Sequence, residues 1–185
     1  MHRLPASEQC IWSRTGCYSW QQAHQQCCRY AQFLLSEGLQ PGQLVGFYLQ
    51  NSPEFMFAML GSWAVGSAPA LINYNLGGDG LVHCLRVSGT KILLVDEDEG
   101  CRQRIEESRN RIEGELGIRI IILDETTKAS INALEPKRPG RKYREGVKAD
   151  FPMCLLYTRF VSSPLAPPRS SSTLGTGTSP KGNGC

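Results

Sequence analysis

Apolar residues in this chain alternate between two spacings, continuous runs of strand length and the three-to-four-residue interval of a helix. Leu44 to Leu49, Ala68 to Ile72, Lys91 to Val95 and Ile118 to Leu123 are the runs. Each is long enough for a strand and apolar enough to be covered on both faces. Between them lie helical patterns. Ser52 followed by Pro53 predicts a helix start, and Phe55 to Leu60 is apolar on every side, which predicts a buried helix. Asp79 is the expected cap of a helix carrying Leu81, Val82, Leu85 and Val87. Cys101, Ile105, Ser108, Ile112 and Leu116 form a narrow apolar stripe on a charged helix, in which Glu107 and Arg111 are spaced to pair.

Ahead of this alternation, Ser19 and Gln22 make a capping box for a helix from Trp20 to Glu37. Ala23, Cys27, Tyr30, Ala31 and Leu34 mark its apolar face, and Gly38 supplies the stop. Ile11 to Tyr18 reads as a short hairpin around Thr15 and Gly16, and Phe151 to Thr158 as a last strand. Pro136 to Lys148, rich in Lys, Arg, Pro and Gly, reads as a loop or linker with solvated charges. Strands alternating with helices predict an α/β fold, a mainly parallel sheet with helices on both faces and ligand at the carboxyl ends of the strands. From Arg159 to Cys185 Ser, Pro, Gly and Thr dominate without an apolar period. Such a segment cannot bury enough surface to offset its ordering entropy, so a disordered carboxyl-terminal tail is expected. The chain thus divides into a folded part, residues 11–158, and a tail, residues 159–185.

Charge and cysteine usage narrow the function classes. The net charge is +3, and acids and bases interleave from Glu97 to Glu115 instead of building the basic face that nucleic acid requires. No nucleic-acid partner is expected. The eight cysteines include no CxxC pair. Cys27 and Cys28 are adjacent on a helix, about 100° apart, and cannot share a tetrahedral metal site, so reduced thiols are the expectation. Met1 to Ser13 lacks a signal-peptide pattern. The longest apolar stretch, Phe55 to Val65, falls short of the roughly 20 residues that span a bilayer.

Few residues suggest chemistry on their own. His24 and His83 are isolated histidines, for which a structural role is expected. Asp96, Glu97 and Asp98 follow an apolar strand and read in two ways. They suit a helix start, where the dipole favours negative charge, or the acidic corner of a small receiver-like module. A receiver would carry those acids after its first strand and a lysine after its last, whereas two strands precede them here and Tyr157-Thr158 lacks that lysine.

The blocks Val45-Gly46-Phe47-Tyr48-Leu49-Gln50-Asn51-Ser52-Pro53-Glu54-Phe55 and Gly66-Ser67-Ala68-Pro69-Ala70-Leu71-Ile72-Asn73-Tyr74-Asn75-Leu76 keep unusual residues in order. Together with Leu81-Val82-His83-Cys84 and Tyr18-Ser19-Trp20, they resemble the fatty-acid transport and very-long-chain acyl-CoA synthetase family, most of all its fungal branch, within the adenylate-forming, AMP-binding superfamily. The resemblance implies the first subdomain of the adenylate-forming fold. It also implies a fatty acid substrate, an acyl adenylate made with ATP and Mg2+, and capture of the acyl group by coenzyme A, a chemistry that can be coupled to fatty-acid uptake. Such proteins are cytoplasmic or peripheral to the endoplasmic reticulum, peroxisome or plasma membrane.

One departure matters. In the family the strand ending Leu-Leu-Tyr-Thr runs into a loop of the form Ser-Gly-Thr-Thr-Gly-x-Pro-Lys-Gly, whose amides, hydroxyls and lysine hold phosphate. Here Thr158 is followed by Arg159-Phe160-Val161. Gly175 to Gly182 is similar to the end of that motif with one residue inserted, about seventeen residues further on. The cofactor-binding candidates are therefore Thr158, Thr176, Gly177, Thr178, Lys181 and Gly182, and chance similarity in a biased tail is the expected explanation of the last five. The magnesium-positioning acid and the carboxyl-terminal lid with its lysine have no counterpart, so a truncated chain without ligase activity is expected. Alternatives are a non-catalytic fragment, or a ligase feeding an acyl group into a specialised biosynthetic pathway.

Overall fold

The computed structural model describes residues 5–14 and 16–157. The expectations for Thr158 and for the tail lie outside those residues. A hairpin of β1 (Gln9–Trp12) and β2 (Cys17–Ser19) leads into α1 (Trp20–Ser36). The capping box forms as the sequence predicts, the Gln22 amide donating to Ser19 Oγ and the Ser19 amide to Gln22 Oε1. Then follow β3 (Leu44–Tyr48), α2 (Pro53–Ala64), β4 (Ala68–Leu71), α3 (Gly78–Ser88), β5 (Ile92–Val95) and α4 (Glu99–Arg109). The chain closes with β6 (Arg119–Ile122), α5 (Glu125–Ala133), α6 (Lys142–Glu145) and β7 (Leu155–Leu156).

The last five strands form one sheet in the order β6-β5-β3-β4-β7, and every pairing is parallel. Strand alternation sends successive side chains to opposite faces. From β3, Val45 and Phe47 enter a core with Tyr30, Leu34 and Phe57, while Tyr48 enters a second core with Leu81, Leu85 and Ile105. Helices α1, α2 and α5 contribute to the first core, and α3 and α4 to the second. Each large apolar side chain so buried stabilises by about 1.5–3 kcal/mol. The chain steps from β3 outward to β4 through α2, then back across β3 to β5 through α3. Strand order therefore reverses between β3 and β5, and a crevice opens beyond the carboxyl ends of those two strands.

Several local expectations are corrected. The cap of α3 is Gly77, with no side-chain hydrogen bond, whereas Asp79 lies in the first turn and pairs with Arg111 (2.7 Å). Val87 is 60% exposed. Helix α2 buries Pro53, Phe57, Ala58, Gly61 and Ser62 and leaves Met56 exposed, so it is not buried on every side. Glu107 and Arg111 do not pair. After α4 the backbone widens into a π-helical segment, Asn110–Glu115, with Leu116 N donating to the Arg111 carbonyl (3.1 Å), and the i+4 register is lost. The stripe of Cys101, Ile105, Ser108 and Ile112 is nevertheless buried. The stretch 136–148 is more than a linker: it holds α6, and Arg144 donates to the Ala64 carbonyl at the end of α2 (2.7 Å). Strand β7 is two residues long instead of the eight its apolar run predicts.

Candidate functional site: a cleft at the carboxyl edge of the sheet

Beyond the strand-order reversal lies an open cleft of about 1500 Å3. Its floor is the chain leaving β3, Leu49 to Asn51, and the chain leaving β5, Asp96 to Asp98. The β1–β2 hairpin overhangs one side with Trp12, which is 67% exposed, and with Tyr18. Helix α5 forms the other side with Glu125 and Lys128, and Tyr74 enters from the loop after β4. The cleft thus carries most of its aromatic and apolar lining toward the hairpin and α2, beside Arg14 and Glu54, and most of its charge toward α4 and α5.

The polar side is internally committed. Asp96 bridges the crevice, accepting from the Gln50 amide through Oδ2 and from the Asp98 amide through Oδ1, both at 3.0 Å. Asp98 caps α4 by accepting from the Cys101 amide (3.1 Å). The acidic triplet thus takes the helix-start role, favoured by the dipole. Lys128 Nζ lies 2.7 Å from Glu97 Oε1 and 3.5 Å from Glu125 Oε1. Burial alone would lower the Lys128 amine, but the Glu97 hydrogen bond and the charges of Glu97, Glu54 and Glu125 hold it above its ordinary value, so it stays cationic. Burial, aided by the Glu54 charge, raises the Tyr18 phenol.

Behind the cleft, burial raises the Tyr48 phenol, against the opposing pull of Arg104, which donates to it through Nε (2.9 Å). Among the described residues no group of three or more His, Cys, Asp or Glu is placed to hold a metal ion. Cys27 is pushed up to about 12, first by burial and then by its neighbour Cys28, and stays a thiol. His83 is exposed, and His24 sits 3.8 Å from Cys28 Sγ.

This rim does not fit a nucleotide polyphosphate. Glu54, Asp96, Glu97, Asp98 and Glu125 outnumber Arg14 and Lys128, and Lys128 already serves two carboxylates. A triphosphate placed there would meet net repulsion. The sequence candidates for phosphate, Thr158, Thr176, Gly177, Thr178, Lys181 and Gly182, all lie outside the described residues. The last described residue, Tyr157, donates its hydroxyl to the Cys84 carbonyl (2.7 Å) and packs on the second core. Sequence reading missed Gln50, Tyr74 and Lys128 as cleft residues. Gln50 and Tyr74 fall within the two ordered blocks, so their signal was present, whereas Lys128 belongs to a helix with little apolar period.

A parallel sheet of this order, with its helices divided between two faces, is the fold of the adenylate-forming enzymes. A fatty acyl-CoA synthetase of Mycobacterium tuberculosis superposes on 78% of the chain with a TM-score of 0.67 at 19% identity, over 28% of its own length. The AMP-binding enzyme family matches residues 2–158, and the chain belongs to that family. It is 42% identical over 135 residues to isopenicillin N epimerase component 1 of Hapsidospora chrysogena, an alignment covering 72% of this chain and 22% of that protein. It is 30% identical over 142 residues to the very long-chain fatty acid transport protein of Cochliobolus heterostrophus, covering 76% of this chain and 21% of that one. The chain therefore spans about a fifth of the length of these relatives.

Proposed function

We propose that this segment serves an enzyme that activates long- or very-long-chain fatty acids with ATP and coenzyme A through an acyl adenylate. The observation that supports it most is the family match over residues 2–158, which ends at the strand from which members of the family run into their phosphate loop. The segment's own part is the sheet and its cleft. Nucleotide, Mg2+ and coenzyme A would be held by the remainder of such an enzyme, because the described rim is too acidic for polyphosphate. The protein works in the cytoplasm or at the surface of the endoplasmic reticulum, peroxisome or plasma membrane. Among the described residues no helix is long and apolar enough to cross a membrane, which suits a peripheral attachment.

A second reading places the substrate among carboxylic acids of a specialised biosynthetic pathway. The 42% identity to the isopenicillin N epimerase component favours it. A chimera separates the two: residues 2–157 replace the matching part of the Cochliobolus protein, and exchange of labelled pyrophosphate into ATP is followed with palmitate, a very-long-chain acid and isopenicillin N. Exchange driven by the fatty acids supports the first reading. Exchange driven by isopenicillin N alone supports the second, and a folded chimera that exchanges with none of the three overturns both.

A further inference from the structure

The loop between β4 and α3 is gripped from behind. After Ile72 it turns through two hydrogen bonds, from the Asn75 amide to Asn73 Oδ1 and from the Leu76 amide to the Asn73 carbonyl, both 2.9 Å. It ends at Gly77 and Gly78, the latter with φ +53°, a pair with the backbone freedom of a hinge. Tyr74, in the middle of the loop, lines the cleft.

Two side chains from other elements hold the loop by its carbonyls. The Tyr48 hydroxyl, at the end of β3, donates to the Leu76 carbonyl (2.5 Å). Arg104, on α4, donates through Nε to the Tyr48 hydroxyl oxygen (2.9 Å) and to the Tyr74 carbonyl (3.1 Å). Its Nη2 reaches Cys101 Sγ at 3.6 Å. All these partners are neutral, and among the described residues Arg104 forms no salt bridge, although acids abound on its own helix. The Arg104 stem runs beside Gly77, where an added Cβ would lie 3.6 Å from it. A half-buried guanidinium spent on backbone and phenol oxygens makes charge-assisted bonds stronger than neutral ones.

We infer that Arg104 and Tyr48 form a latch that holds the β4–α3 loop and so positions Tyr74 as one wall of the cleft. Arg104 is a positioning residue, acting on the cleft through the backbone of Tyr74 without lining it. The latch is the same whichever carboxylic acid the parent enzyme activates, so its failure and that of the proposed reaction are separate results.

Fluorine NMR of the chain labelled with 3-fluorotyrosine tests it, with Tyr48→Phe and Tyr74→Phe assigning the two signals. In Arg104→Gln the Tyr48 and Tyr74 signals are expected to move while that of Tyr18, on the hairpin, stays. Exchange of the Asn75 and Leu76 amides should quicken about tenfold, the loss of roughly one charge-assisted hydrogen bond. Added ethylguanidinium should return both readouts toward those of the unsubstituted chain. Unchanged exchange at Asn75 and Leu76, or an equal acceleration throughout the β3–β5 ladder, overturns the latch. Should Arg104→Gln fail to fold, Tyr48→Phe removes only a hydroxyl and carries the same exchange test at Leu76.

Discussion

Gly66 ties the end of one helix to a distant stretch of chain. Its φ of +75° belongs to the left-handed region, and a Cβ added there would run into the Tyr143 carbonyl and the Val147 side chain. Two residues before it, the Ala64 carbonyl receives the Arg144 guanidinium, a cation at the negative end of the α2 dipole. Gly66→Ala is therefore expected to destabilise the fold by about 1–3 kcal/mol, read as a lower urea midpoint with an unchanged slope. An unshifted midpoint would mean that the 140s segment is not packed against α2. Neither contact was legible beforehand, because an arginine in a Pro- and Gly-rich stretch carries no local sign of the carbonyl it will meet 80 residues away in sequence.

Among the described residues α1, α2, α4 and α5 begin on short polar side chains, and for α1 and α2 that feature was readable. Ser19 and Ser52 accept from the amides three residues on, as their sequence settings predict, and Ser52→Ala should cost about 1 kcal/mol by thermal unfolding. Asp124 plays the same part for α5, accepting from the Thr127 amide (2.8 Å). That bond holds the Asp124 carboxyl below its ordinary value of 3.8. A depressed carboxyl contributes stability above its unfolded value and loses it as pH falls through the folded one, so α5 should fray first in acid. Loss of protection of the Thr127 amide, relative to its intrinsic exchange rate, below about pH 4 and ahead of the β3–β5 ladder is the expected sign, and Asp124→Asn should abolish the difference. Helix α5 itself escaped sequence reading because Ile131 is its one buried side chain. The π-helical turn escaped because the apolar stripe runs on across it. Strands β3 to β6 were legible because their apolar runs are continuous, whereas the run from Phe151 pairs for only two residues, along β4.

For the molecule as a whole, periodicity carried the α/β layering and the ordered blocks from Val45 to Leu76 carried the family. The order of strands and the depth of the cleft were not legible, since both arise from the crossover between two faces. The acids after β5 illustrate the difference. As sequence they admitted a receiver-like corner, and in space they cap α4, bridge to Gln50 and pair with Lys128. Asp96, Asp98, Glu97 and Lys128 of the cleft are thus already paired within the fold, which supports the proposal that phosphate is held outside the cleft. The proposal, resting on the resemblance, puts it immediately after the strand corresponding to β7, where this chain has Arg159-Phe160-Val161. Incubating the purified 185-residue chain with labelled ATP, Mg2+, palmitate and coenzyme A is the most direct check. The expected result is neither retained nucleotide nor palmitoyl-CoA. Formation of the thioester by this chain alone would contradict the assignment of phosphate binding to a loop that must follow the last strand at once.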